Sequence, residues 1–536
     1  MKTKFLTHLL SFTLTVVFGF SMHSQSISGT VTDDNGIALP GATVLVQGTT
    51  NGVSTDFDGA YSISASSDDT LVFSFIGYAS QSVLVGSSST INVSLSPDNL
   101  LDEVVVTGYG SQKASNISGS VSIVSGEEVE KIKPLRIEDA LQGTTGLNVI
   151  SSPNPGGKPS VLIRGITSFS GTDPLVVIDG INSSLYDMDA ISPSDIESVS
   201  VLKDASTTAM YGVRGGSGVI VITTKSGKKN QDTVFSLDTS FGMQEVDKYI
   251  DVLNASQYAA ILNEGSVTSG GNLIFTDLSS LGVGTNWQKE LFDTAPISTT
   301  NFSASGGSDS TTYFISAGYT SQEGVAGGGD KDFFDRSTFS ANFTTDMSDK
   351  LKAIVQTKYS NIKGNGHGGG QIFNALNFDP TVPLMTDGKY STSGTITQEV
   401  INPMAGLSNS YSDNKTDKLI GKIELQYDLL DNFKITTRIG YSSIWQQQKS
   451  FSPLRFYGVG HNSTNANADL SPRTSDDHSR VSESKQNWFN YTYELFGNYD
   501  FNINDEHNFN VFAGFTIGKQ TYNFLSGSNV DVPNNS

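Results

Sequence analysis

The sequence predicts a mainly β protein in three parts: a β-sandwich N-terminal extension, an α/β domain, and a partial antiparallel transmembrane β-barrel of about nine strands. Three observations predict it. An export-type leader opens a chain that has no later apolar run long enough for a spanning helix. Short β-prone runs separated by turn residues fill positions 27–97. From about position 233, alternation of period two dominates in long segments.

The chain has 536 residues, a net charge of −21, 16% charged residues and no cysteine. The negative balance argues against a nucleic-acid partner. Without cysteine there is no disulfide, thiolate metal site, cysteine nucleophile or lipoprotein anchor. Lys2 and Lys4 precede an apolar run from Phe5 to Phe20, and small or polar residues follow. That order marks residues 1–25 as a secretory signal peptide.

Residues 26–98 are expected to form the sandwich. The runs "SISGTV", "ATVLVQ", "YSISA", "TLVFSF" and "INVSL" alternate with "DDNG", "PG" and "DFDG", which supply positive-φ positions and side-chain hydrogen bonds. Asp56 and Asp58 stand two apart, but the later acids of a calcium loop are missing, so a plain turn is favoured. Residues 99–112 are a linker with an unusual content. "LDEVVVTGYG" has two acids, three valines and two glycines, the composition of an extended segment that seeks a sheet edge.

Residues 113–230 are expected to be mixed α/β. Ser125 with Glu128 forms a capping-box pattern, "RIEDALQG" reads as a short helix, and "PLVVIDGI" and "SGVIVITTK" read as strands. Asp179-Gly180 reads as a hairpin turn, and Asp204 as the side-chain cap of the next helical turn. "GVRGGSG" lacks the Gly-Lys-Ser/Thr ending of a phosphate loop and precedes a strand.

Residues 231–536 carry the alternating strands. In "KIELQYDL", Ile423, Leu425, Tyr427 and Leu429 oppose Lys422, Glu424, Gln426 and Asp428. Short turns at 306–310, 346–350, 430–432 and 504–507 alternate with excursions over about 245–297, 322–336, 362–416 and 447–485. Outer-membrane barrels have this asymmetry of short periplasmic turns and long external loops. Since such single-chain barrels close with even strand numbers, the expectation is an incomplete barrel.

These residues carry a resemblance. "GTVTDDNGIALPGATVLVQGTTNGVSTDFDGAYSI", "LDEVVVTGYG", "VLIRGITSFSGTDPLVVIDGI" and "DIESVSVLKDASTTAMYGVRGGSGVIVITTKSG" resemble the SusC/RagA-like TonB-dependent outer-membrane transporters of Bacteroidetes. They correspond to that family's carboxypeptidase-regulatory-like extension, TonB box and plug domain. The barrel part matches in pattern only. The resemblance implies a barrel of about 22 strands with the plug in its lumen. It implies energy from TonB with ExbB-ExbD, a SusD-like surface lipoprotein, and an oligosaccharide or peptide substrate. It places the barrel in outer-membrane lipid and the extension and TonB box in the periplasm. It implies no cofactor.

By this reading Asp102, Glu103, Val104, Val105, Val106 and Thr107 bind TonB by adding a strand to its sheet. The alternative is a last strand of the sandwich. Arg164 and Arg214 are the candidate plug–barrel contacts, with an ordinary structural salt bridge as the alternative. No catalytic or metal residue is assigned: the six histidines have no His-Glu-x-x-His spacing, and no G-x-S-x-G elbow occurs. The rival to transport is a surface adhesin, which would explain the β-rich regions but not a plug preceded by a TonB box.

Overall fold

The computed structural model describes residues 25–34, 36–49, 51–75, 78–95, 104–107, 110–113, 119–152, 154–166, 168, 171–327, 331–366, 370–393, 396, 400–409, 411–452, 479–503 and 507–532. The expected signal peptide lies outside them apart from Gln25, as do Asp102 and Glu103. The chain divides into two compact units.

The first unit is a seven-stranded sandwich. Its strands are β1 (Gln25–Asp33), β2 (Thr43–Val46), β3 (Gly52–Ser54), β4 (Ala60–Ala65), β5 (Thr70–Phe75), β6 (Tyr78–Leu84) and β7 (Val93–Leu95). They form one sheet in the order β4-β1-β7 and another in the order β3-β2-β5-β6. Alternation decides which face is inward: Tyr61, Ile63 and Ala65 are buried on β4, Leu71 and Phe73 on β5. They pack with Ile27, Val31, Val44 and Leu95 into one core. Tyr61 meets Phe73 edge-on at 5.4 Å and donates its hydroxyl to the Ile91 carbonyl at 2.8 Å. Burial pushes that hydroxyl up to about 12. The Asp56 carboxylate accepts from the amides of Asp58 and Ala60 at 3.0 and 2.8 Å, while Gly59 sits at φ 73°. This is the plain turn that the spacing favours.

Next, β8 (Val104–Thr107) and β9 (Gly110–Lys113) form a two-stranded sheet of their own. The valines that looked partnerless therefore have a local partner, two residues further on.

The α/β domain is built on β10 (Val121–Ser125), β11 (Leu147–Ile150), β12 (Ser160–Ile163), β13 (Leu175–Ile178), β14 (Ile181–Ser183), β15 (Ile196–Leu202) and β16 (Val219–Thr224). Five of these make a mixed sheet in the order β10-β15-β16-β13-β14; β11 and β12 pair separately. β13 and β16 run parallel, and their runs are buried almost without alternation, as suits a sheet covered on both faces. The helix Gly126–Ile132 opens on the predicted capping box: Ser125 Oγ accepts from the Glu128 amide and Glu128 accepts from the Ser125 amide. Asp179 (φ 49°) and Gly180 (φ 86°) form a two-residue turn with both φ positive, joining Ile178 to its partner Ile181. One expectation is corrected here. Asp204 precedes the helix Ala205–Thr208 but makes no side-chain cap. Its carboxylate is taken instead by the Ser120 amide and by Arg164, and its backbone carbonyl closes the turn.

The barrel part is one antiparallel sheet of nine strands: β17 (Gln231–Gln244), β18 (Ala295–Gly307), β19 (Thr311–Glu323), β20 (Phe333–Ser348), β21 (Leu351–Asn365), β24 (Tyr411–Leu430), β25 (Phe433–Ser452), β26 (Arg480–Ile503) and β27 (His507–Val530). The short hairpin β22 (Met385–Thr386) and β23 (Lys389–Tyr390) lies in the connection after β21. The burial pattern is inverted relative to a soluble sheet. On β24, Ile423, Leu425 and Tyr427 are 51%, 39% and 42% exposed, while Lys422 and Glu424 are 7% and 2% exposed. Apolar residues face out and ionisable residues face in, the requirement of a strand whose outer surroundings are lipid.

The strands run about four to six residues further into the last two long excursions than alternation predicts: β21 and β24 reach Asn365 and Tyr411, and β25 and β26 reach Ser452 and Arg480. Hydrogen bonding continues there through polar residues, beyond the apolar band that made the pattern visible. The excursions also hold structure. Helices Ala255–Thr268, Trp287–Leu291, Gly370–Asn377 and Pro403–Asn409 occupy them. Trp287, Leu291, Ala326, Phe378, Val400 and Leu407 form a core drawn from three connections at the end opposite the short turns. No helix among the described residues is long and apolar enough to cross a membrane.

Candidate functional site

The α/β domain meets the inward face of the barrel strands through three acidic nodes. The first is the Asp179-Gly180 turn. The Asp179 carboxylate accepts from the amide and hydroxyl of Thr224 at 2.9 and 2.8 Å and from Lys358 Nζ of β21 at 2.5 Å. Its backbone carbonyl accepts from Lys422 Nζ at 2.8 Å, and the Gly180 carbonyl accepts from Arg438 at 2.8 Å. Burial pushes the Asp179 carboxyl up, but Lys358 and Lys422 outweigh it and hold it below the usual carboxylate range. Behind the turn, Glu424, Arg438 and Glu494 are direct cross-strand neighbours on β24, β25 and β26. Arg438 donates to both acids, at 2.6 and 3.2 Å, and Lys422 supplies the second cation, 3.1 Å from Glu424.

The second node is Asp189, at the end of a short 3-10 helix. It pairs with Arg136 of its own domain, with Lys158 at 3.5 Å and with Lys418 of β24 at 3.0 Å. Burial pushes Asp189 up, yet Lys418, Arg136, Lys158 and Arg336 hold it well below the carboxylate range. The third node, Asp195, has only neutral direct partners from the barrel. Ser316, Ser340 and Asn301, on three adjacent strands, donate to it at 2.5, 3.0 and 3.3 Å. Burial dominates and pushes this carboxyl up.

Above these nodes, between the α/β domain and β20–β27, lies a chamber of about 1420 Å³. Arg214 is exposed on its wall, whereas Arg164 is half exposed and pairs with Asp204 inside its own domain. Buried cross-domain charge comes from Asp179, Asp189, Lys358, Lys418, Lys422 and Arg438, none of which motif reading marks as a plug–barrel contact. A signal for them existed: between 418 and 426 of β24 every ionisable residue shares the parity opposite to Ile423 and Leu425. Val104–Thr107 are extended in β8, and Asp102 and Glu103 lie outside the described residues.

Comparison with known proteins agrees with this architecture. The TonB-dependent Receptor Plug Domain model matches residues 113–219, and the CarboxypepD_reg-like domain model matches residues 27–106. TonB-dependent receptor P26 of Formosa agariphila is 35% identical over 458 residues, 83% of this chain and 46% of that one. TonB-dependent receptor SusC of Bacteroides thetaiotaomicron is 36% identical over 422 residues, 75% of this chain and 41% of that one. The chain belongs to the SusC-like TonB-dependent receptors. The α/β domain of this SusC-like chain is accordingly its plug. The RagAB peptide transporter shares the fold, with a TM-score of 0.65 at 22% identity over 78% of this chain and 49% of that one. The relatives matched are receptors and transporters, not enzymes. The SusC-like chain spans about half the length of the curated relatives it matches.

Proposed function

We propose that this chain carries the extension, TonB box, plug and first barrel strands of a transporter that takes up a nutrient across the outer membrane, with energy from TonB-ExbB-ExbD. The observation that carries the reading is the inverted barrel sheet. Its ionisable inner face is filled by a plug domain held through Asp179, Asp189 and Asp195. A wall of this kind suits a passage that is closed at rest and opened by work on the plug. The outer membrane holds no ion gradient, so that work comes from the periplasmic side. Residues 102–107 suit the coupling role, because main-chain hydrogen bonds of an extended segment can bear a pull. Pairing of β8 with β9 keeps the valines extended and leaves β8 a second edge.

The extension and TonB box then lie in the periplasm and the long connections outside. The substrate is an oligosaccharide or peptide, passed on by a SusD-like lipoprotein seated over those connections. The RagAB neighbour, a peptide transporter by its description, is alike in fold alone. In the full-length protein, deletion of Asp102–Thr107 abolishes uptake and leaves surface binding of substrate intact. Normal uptake by the deletion variant refutes the coupling role.

A further inference from the structure

The chamber above the plug is chemically uneven. Its floor is rich in cations. Arg136, Lys158, Arg336 and Lys418 all act on Asp189, with Glu138 as the second acid of the group. Asp195 acts on Arg336 as well, so four positive groups stand against three negative ones beneath and beside the chamber. Lys158 and Lys418 reach its lining, Lys158 lying 3.5 Å over the Tyr186 ring. Arg214 adds a further cation to the wall; it is exposed and forms no ion pair among the described residues. The opposing acid is Asp187, whose carboxylate is turned to the amide and hydroxyl of Ser184 at 2.8 and 2.9 Å. A surplus of positive charge in a protein of net charge −21 is a local feature, not a reflection of composition.

The barrel side of the chamber has a different character. Trp488 lines it with Gln446, Gln486 and Asn490. Ser442 and Asn490 are cross-strand partners on β25 and β26, and both line the chamber. Ser442 Oγ and Asn490 Oδ1 have no hydrogen-bond partner among the described residues. Ser442 is 8% exposed, so its hydroxyl is withdrawn from bulk water as well. An aromatic ring beside unsatisfied hydroxyl and amide groups suits a polyhydroxylated ligand, which offers a C–H face and many hydroxyls. Peptide side chains would call for apolar pockets instead.

Resting on the transport reading, we propose that the chamber binds an oligosaccharide bearing carboxylate or sulfate groups, with Trp488, Ser442 and Asn490 meeting the sugar and Arg214 and Lys158 meeting its anionic substituents. The charge of the substituent is read by a fixed cationic floor that a neutral glycan leaves uncompensated. Binding weakens with salt, because the Arg214 contact is exposed to solvent.

The test uses the purified full-length receptor and tryptophan fluorescence titrations. The probes are oligogalacturonate and its methyl ester, a sulfated galactan oligosaccharide and its desulfated form, and hexaglutamate. At least one acidic sugar binds about tenfold or more tightly than its neutral counterpart, and the better of the two acids identifies the substituent. Arg214→Gln lowers that preference several-fold, the remainder being carried by Lys158 and the floor. As Arg214 is exposed, folding is not at stake, and Ser442→Ala with Asn490→Ala serves as the second variant, weakening both forms. Equal or tighter binding of the neutral sugars, hexaglutamate binding as tightly as the acidic sugars, an unchanged preference in Arg214→Gln, or no binding of any probe overturns the proposal. The transport reading is scored separately, by uptake in the Asp102–Thr107 deletion, so either can fail alone.

Discussion

Lys358 of β21 donates to the Asp179 carboxylate across 2.5 Å, joining a barrel strand to the tip of a plug hairpin with side chains only 2% and 4% exposed. Neither charge has water to fall back on. Removal of one partner strands the other, at a cost of about 3–5 kcal/mol, whereas removal of both costs much less. Lys358→Met is therefore strongly destabilising, and Lys358→Met with Asp179→Asn recovers part of the loss. Thermal melts of the four proteins in detergent, read as a double-mutant cycle, check this. Additive losses would show that the pair does not act as a unit.

Asp189 and Asp195 predict opposite pH dependences from neighbouring positions. Asp189 is held low by Lys418, Arg136, Lys158 and Arg336 despite its burial. It contributes stability above the usual carboxylate pKa of about 3.9, and that stability is lost as pH falls through the lower folded value. Asp195 is raised by burial. Its stabilising share is full below about pH 3.9 and is lost as pH rises through the higher folded value. The penalty of Asp189→Asn thus grows as pH rises from acid to neutral, while that of Asp195→Asn shrinks over the same range. Melts of both variants and the parent across that range decide the sign in each case.

Much of this was legible from alternation and turn chemistry. Five of the seven short strands of the extension, the Ser125–Glu128 capping box, the Asp179-Gly180 turn and the nine long strands all follow from local rules that the fold obeys. What escaped is non-local. Arg164 and Arg214 read as candidate plug–barrel contacts, while in the structure Arg164 pairs with Asp204, forty residues away in sequence. Lys358 and Lys418 looked like the ordinary polar face of an alternating strand, because alternation gives two faces and does not say which is wet. Asp204 matched a cap by position, but a guanidinium and the Ser120 amide compete better for its carboxylate than the helix amides do. Three of the helices in the long connections were hidden by the lack of a full amphipathic stripe in segments of five to eight residues, such as Trp287–Leu291 and Gly370–Asn377.

Gly180 is a close point of the plug contact. At φ 86° it occupies the left-handed region, and a Cβ there would stand 2.8 Å from the nearest Arg438 guanidinium nitrogen. Gly180→Ala incurs a backbone cost of about 1–2 kcal/mol. It also pushes Arg438 off the Gly180 carbonyl that it now reaches at 2.8 Å. Gly180→Asn tolerates the backbone angle better but keeps the clash, so it lowers the melting temperature less than Gly180→Ala and still lowers it. A melt of Gly180→Asn equal to the parent would show that Arg438 can move at no cost.

Trp287 ties two long connections together. Its indole N–H donates to the Asp379 carbonyl at 2.9 Å, its ring meets Phe378 edge-on at 5.0 Å, and it is 2% exposed. Thr285 joins the same pair of connections through the carbonyls of Pro380 and Val382 at 2.9 and 2.7 Å. Trp287→Ala costs about 3–5 kcal/mol locally, by loss of the ring and the cavity it leaves. That cost falls on the connections and not on the strands, whose ladders run beneath them with a register shift at Asp346/Ser348, beside the short turn at the far end. Hydrogen exchange accordingly speeds up over residues 255–291 and 370–409 while β19 and β20 stay protected, and limited proteolysis cuts in the same two segments. Faster exchange in the strands as well would mean that the connections and the barrel unfold as one unit.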